Sequence, residues 1–123
     1  MPEDSVVTWR DVDGIAVISI KASGDESNTW ILQETMRTLL QKEYNRFVID
    51  LSDCSYLASS SWGIIAAVAE SAAAAGGEVS LCYVDASLRE IISVINLEAK
   101  LRICETLAEA LHGDQELELA AGA

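Results

Sequence analysis

Three consecutive serines, Ser59, Ser60 and Ser61, are the side chains best placed to do chemistry in this sequence. A hydroxyl at a strand-to-helix turn suits either of two tasks: a nucleophile, as in hydrolases, or a point of phosphorylation. The neighbouring residue types separate them. Nucleophilic catalysis needs a base beside the hydroxyl, and the single histidine, His112, lies far from the serines. Neither G-x-S-x-G nor S-x-x-K surrounds them. Asp50 closes a strand pattern and Asp53 fits a turn, so neither carboxylate is assigned a catalytic role. The reading is of a chain that is not an enzyme.

Metal and nucleotide chemistry lack their side chains as well. Cys54, Cys82 and Cys104 are odd in number, far apart and set in or beside apolar runs, the pattern of unbridged core thiols. Without paired cysteine or histidine spacing, neither a metal nor any other cofactor is expected. No glycine-rich loop with a following lysine is present to cradle phosphates. Eight basic residues against twenty acidic ones give a net charge of −12, which repels nucleic acid and anionic membrane surfaces and serves solubility. Apolar runs fall short of the roughly 18 residues of a membrane span, and the opening MPEDSVVTWR is acidic where a signal peptide is basic, so a cytoplasmic protein that is not membrane-embedded is expected.

The serines need a scaffold, and hydropathy patterning supplies one. Ser5 to Trp9 and Gly14 to Ile20 read as strands joined at the Asp13-Gly14 turn. Ile31, Leu32, Thr35, Met36, Leu39 and Leu40 recur at helical spacing, with Ser27 and Asn28 among the capping residues ahead of them. Arg46 to Leu51 has the near-continuous apolar character of a buried strand. Ser52 to Ser61 then reads as a loop and Trp62 to Ala75 as a helix closed by Gly76-Gly77. Val79 to Val84 follows as a strand, and Ser87-Leu88-Arg89-Glu90 fits a capping box opening a third helix. Leu101 to Cys104 is a short last strand, and Thr106-Leu107-Ala108-Glu109 repeats the box ahead of a final helix ending near Leu111. The expected fold is α/β: one domain over residues 5–112, a mixed sheet of about five strands, an opening antiparallel hairpin then parallel strands, covered by about four helices. Residues 113–123 read as a frayed tail. Partners of such a sheet gather at the carboxyl ends of its parallel strands, where the loop after Leu51 lies.

Within that loop, Asp50-Leu51-Ser52, then Tyr56, then Ser59-Ser60 followed by Ser61, Trp62 and Gly63, resembles the signature of the sulfate transporter and anti-sigma factor antagonist (STAS) family, of the stand-alone antagonist type. The likeness extends over roughly residues 5 to 112. It implies a module that sequesters an anti-sigma factor doubling as a serine protein kinase, with ATP belonging to the partner and a matching phosphatase resetting the switch. By position the resemblance implies phosphorylation at Ser59, with Ser60 and Ser61 as lesser candidates. It implies a partner surface of Tyr56, Ala58, Ser59, Ser60, Ser61 and Trp62, joined by Ser27 and Asn28. Two positions depart from the family loop: Ala58 stands where Asp is usual and Ser61 where Gly is usual. Trp62 admits two readings, a core residue or a partly exposed interface anchor. The alternative function is a cytoplasmic accessory subunit of an anion or lipid transport system.

Overall fold

Asp13 and Gly14 both take positive φ, 53° and 85°, which is the backbone of a two-residue type I′ hairpin turn. The Gly14 N–H donates to Asp11 Oδ1 at 3.2 Å, tightening the turn from one strand. In this computed structural model, which describes residues 7–21 and 29–112, the turn joins β1 (Val7–Val12) to β2 (Ile15–Ile20). The two strands are antiparallel, Val7 opposite Ile20 and Val12 opposite Ile15. β1 continues three residues past Trp9 because it is an edge strand, on which Arg10 and Asp11 remain solvated while their backbone pairs with β2. Tyr44 pins that edge from behind: its hydroxyl donates to Asp11 Oδ2 at 2.5 Å and its ring meets Trp9 edge-on at 5.8 Å. The bond from Tyr44, with the Gly14 N–H second, holds the Asp11 carboxyl below its ordinary range.

The chain then alternates: α1 (Thr29–Gln41), β3 (Arg46–Asp50), α2 (Ser59–Ala74), β4 (Glu78–Cys82), α3 (Ala86–Val94) and β5 (Arg102–Cys104). A last helix, α4, occupies residues 107–112. The sheet runs β1-β2-β3-β4-β5, parallel from β2 onward. Each crossover moves one strand in the same direction, so right-handed connections place α1, α2 and α3 on one face. There Leu32, Met36 and Leu39 of α1, Ile65 and Val68 of α2, and Leu88 and Ile92 of α3 pack on Ile18, Phe47, Ile49 and Leu81. The opposite face carries Ile15, Val17, Val48, Cys82 and Cys104, on which α4 lays Ala110. Burial of both faces is why β2 and β3 read as almost unbroken apolar runs. Among the described residues no helix is long and apolar enough to cross a membrane.

Three further boundaries differ from those expected, each for a local reason. β4 stops at Cys82, two residues before Val84, because Tyr83 adopts φ 58° and turns the chain out of the ladder. α2 starts at Ser59, three residues before Trp62, so all three serines are helical. The capping box at Ser87 is not used, since Asp85 caps α3 two residues earlier, its Oδ1 accepting the Leu88 N–H at 2.9 Å. The box heading α4 does form in part: Thr106 Oγ1 accepts the Glu109 N–H at 3.1 Å, and Glu109 Oε1 accepts the Glu105 N–H at 2.7 Å. Ser5 and the tail over 113–123 lie outside the described residues.

Asp85→Ala is expected to lower the stability of the domain by about 1 kcal/mol, while Ser87→Ala leaves it unchanged or slightly raised. Urea denaturation followed by circular dichroism checks this, and the reverse order would return the cap to Ser87.

Candidate functional site

The loop leaving β3 is held down at each step. The Leu51 N–H continues the ladder to Cys82 O at 3.1 Å, the Ser52 N–H donates to Asp50 Oδ1 at 2.9 Å, and the Cys54 N–H closes a turn on Leu51 O at 3.1 Å. Asp50 thus serves the turn. Cys54 and Leu57 are buried beneath the loop, which carries the chain over the carboxyl end of the sheet to Ala58.

Ala58 is the N-cap of α2, with extended backbone (φ −65°, ψ 154°) and no side-chain bond to the helix. Its carbonyl accepts from the N–H groups of Ser61 at 2.9 Å and Trp62 at 3.2 Å. None of the three serines is the cap, contrary to the default reading of serines before a helical pattern. They face different ways because helical residues turn by about 100° each. Ser59 and Ser60 are exposed, whereas Ser61 is only 5% exposed. Thr29, the first residue of α1, places its hydroxyl 3.0 Å from Ser60 Oγ and 3.1 Å from Ser61 Oγ. That hydroxyl ties the start of α1 to the start of α2, and Ser59 stands outside the trio.

Of the residues expected to form a partner surface, not all are exposed in the structure. Ala58, Ser61 and Trp62 are buried, the last only 3% exposed, because their side chains turn in toward the sheet. Trp62 takes the core reading, and its indole N–H has no hydrogen-bond partner among the described residues. Tyr56, at 41% exposure, and the serines Ser59 and Ser60 remain on the surface. Ser27 and Asn28 lie outside the described residues. Ser61 is not among the residues with positive φ, so its backbone has no need of glycine.

Beside Ser59 opens a groove of about 480 Å³. Tyr56, Leu57, Ser59, Trp62, Gly63 and Ala66 form one wall; Ile91 of α3, with Ile95 and Leu97 just beyond its end, forms the other. Ile95 is 44% exposed. No local pattern announced either the groove or Thr29. The first exists only between two helices, and the second finds its partners 31 and 32 residues away in sequence.

A helix start with free N–H groups and no acidic residue in its first turn favours an anion placed on Ser59. The thiols offer no comparable reactivity. Burial pushes the Cys54 thiol up, and burial, with Asp50 and Cys104 nearby, pushes Cys82 up to about 12. An acid whose folded value is raised adds stability that is fully present below its unfolded value and lost as pH climbs through the folded one. For Cys82 that window runs from the ordinary thiol value of 9.0 up to about 12. All three buried cysteines are expected to resist a thiol-specific chromophoric disulfide at neutral pH and to react together on unfolding, with stability falling across that alkaline window; rapid modification of the native chain would contradict this.

A model of the STAS domain matches residues 7–110. A Thermotoga neapolitana protein described as an anti-sigma factor antagonist is 30% identical over 82 residues, covering 67% of this chain and 69% of that protein. Among solved structures, an anti-sigma factor antagonist of Thermotoga maritima superposes with a TM-score of 0.80 at 23% identity, over 89% of this chain and 94% of its own. The phosphorylated form of the Bacillus cell-fate determinant SpoIIAA gives 0.69 at 16% identity, over 85% and 96%.

Proposed function

The chain belongs to the STAS domain family, and from that membership we propose that it is a regulatory binding module that sequesters an anti-sigma factor with serine kinase activity and lets go when Ser59 is phosphorylated. One observation carries the reading: of the three serines, Ser59 is exposed, lies outside the Thr29 trio and stands on the rim of an apolar groove. The relatives named as anti-sigma factor antagonists supply the class of partner. SpoIIAA, solved in a phosphorylated form, supplies the precedent for the modification on this fold.

Phosphate at Ser59 brings about −1.5 to −2 charges to one surface point, favoured within the chain by the helix dipole. A partner face packed on Tyr56 and the groove would have to desolvate that charge, which weakens docking without refolding the domain. The chain performs no chemistry in this scheme: the partner binds ATP and transfers the phosphoryl group, a phosphatase removes it, and both meet the chain in the cytoplasm.

Incubation with candidate anti-sigma kinases and ATP, followed by mass spectrometry, tests the scheme. Phosphate at Ser59 and dissociation of the complex are expected, with Ser59→Ala remaining bound. A kinase that binds the chain yet modifies none of Ser59, Ser60 and Ser61 would remove the switch. Recovery with a membrane ATPase and no soluble kinase would replace the sigma-factor reading with transport.

A further inference from the structure

We propose that the groove between α2 and α3 is also a binding site for a small, neutral, mainly apolar molecule. Its volume, about 480 Å³, lies inside the range of roughly 300–1,000 Å³ typical of small-molecule sites. None of the nine described lining residues is charged, on a chain whose net charge is −12. An anion would be repelled by the chain as a whole and, away from the helix start at Ser59, would meet no cationic side chain among the described lining residues. Tyr56 and Ser59 bring the only hydroxyl-bearing side chains among the described lining residues. The occupant that matches is a mainly apolar body with little polar surface.

Gly63 is the second observation. It sits within the 16-residue helix α2, where glycine costs about 0.5–1 kcal/mol relative to alanine. A Cβ built on it would meet no heavy atom within 4 Å, so neither φ nor packing in the domain requires glycine. Gly63 is itself one of the residues that line the groove. With Ser59 and Ala66, Gly63 makes a strip of small residues at positions i, i+4 and i+7 of one helical face, open to close approach.

The length of that strip selects a compact occupant. Ser59 to Ala66 spans about 10 Å at the rise of an α-helix. One turn beyond Ala66, Glu70 pairs with Lys100, which follows Leu97 of the far wall, and this ion pair spans the two sides. A partner helix running along the groove would have to displace this pair, whereas a molecule of about 10 Å fits between the pair and Ser59 without doing so. Occupancy would cover the Ser59 hydroxyl.

Two dyes that share a ring system and differ in charge provide the test: neutral N-phenyl-1-naphthylamine and anionic 8-anilinonaphthalene-1-sulfonate, titrated into the full chain by fluorescence. The neutral dye is expected to saturate at one per chain and to bind roughly tenfold or more tightly than the sulfonate. Gly63→Leu, which fills the groove, should abolish saturable binding with the far-ultraviolet spectrum unchanged. Ile95→Ser, on an exposed position of the far wall, should weaken it independently if the first variant folds poorly. Non-saturating binding, or equal affinity in both variants, overturns the site. So does a dimer in sedimentation that Gly63→Leu dissolves, since a second copy would then be the occupant, or displacement of the dye by an amphipathic helical peptide in preference to small neutral competitors. No kinase enters these titrations, so their failure is separable from failure of the Ser59 switch.

Discussion

Gly77→Ala is expected to destabilise the domain by about 3 kcal/mol, the upper end of what overpacking ordinarily costs. An added Cβ would overlap the carbonyl oxygen of Asn45 and stand 2.5 Å from its carbonyl carbon. A flexible side chain would move aside, but this obstacle is backbone held from several directions. Asn45 O accepts the Glu78 N–H at 3.0 Å, Asn45 Nδ2 donates to Ala75 O at 3.0 Å, and the Gly77 N–H itself donates to Ala72 O at 2.7 Å. These bonds join the entry of β3 to the exit of α2, so yielding at either chain breaks the alignment of β3 with β4. Gly63→Ala is the control within the same helix-and-strand unit: the same methyl meets nothing and should raise stability by about 0.5–1 kcal/mol. Chemical denaturation of the two variants checks the contrast, and similar midpoints for both would show that the junction at Asn45 relaxes freely.

The two glycines illustrate how far the chain could be read without coordinates. Gly76-Gly77 was legible as the end of a helix, and Gly76 does take φ 84° there, but the demand on Gly77 comes from Asn45, more than thirty residues away. The order of strands and helices was legible for a general reason. Periodicity is a property of one segment, and the alternation of apolar runs with helical stripes leaves few ways to wind the sheet. Contacts between segments leave no such trace. The cap of α3 shows the limit inside a single segment: Asp85 and Ser87 are both good caps, and the choice falls to where Tyr83 turns the chain out of β4. At the site the residue types were legible and their directions were not. Starting α2 at Ser59 instead of Trp62 rotates Ser61 and Trp62 inward and leaves Ser59 and Ser60 facing out. Ala58, which departs from the Asp usual in the family loop, is buried, so a carboxylate there would carry the cost of leaving water.

That division among the serines makes Ser59→Asp the decisive substitution for the proposed switch. The expected result is a loss of affinity for the anti-sigma partner of about 100-fold, or roughly 2.7 kcal/mol, with the domain itself slightly stabilised. The stabilisation follows from the helix start: an exposed carboxylate there gains about 0.3–1 kcal/mol from the dipole and the free N–H groups. The loss of affinity follows from the groove, whose uncharged walls leave a carboxylate on the rim no cation to pair with once a partner excludes water. The neighbouring positions separate charge from disruption. Ser60→Asp puts the same charge on the exposed start of the helix, where its carboxylate can still accept from Thr29, so the fold should hold, whereas Ser61→Asp buries a carboxylate at a site only 5% exposed and should lose stability along with any change in binding. Ser59→Asp alone should lose binding while the fold holds. Titration calorimetry of the three variants against the partner, read beside their unfolding midpoints, distinguishes the cases. Unchanged affinity for Ser59→Asp would mean that the partner does not dock over this end of α2, and a proportional fall in stability and affinity across all three would mean that the serines act through the fold.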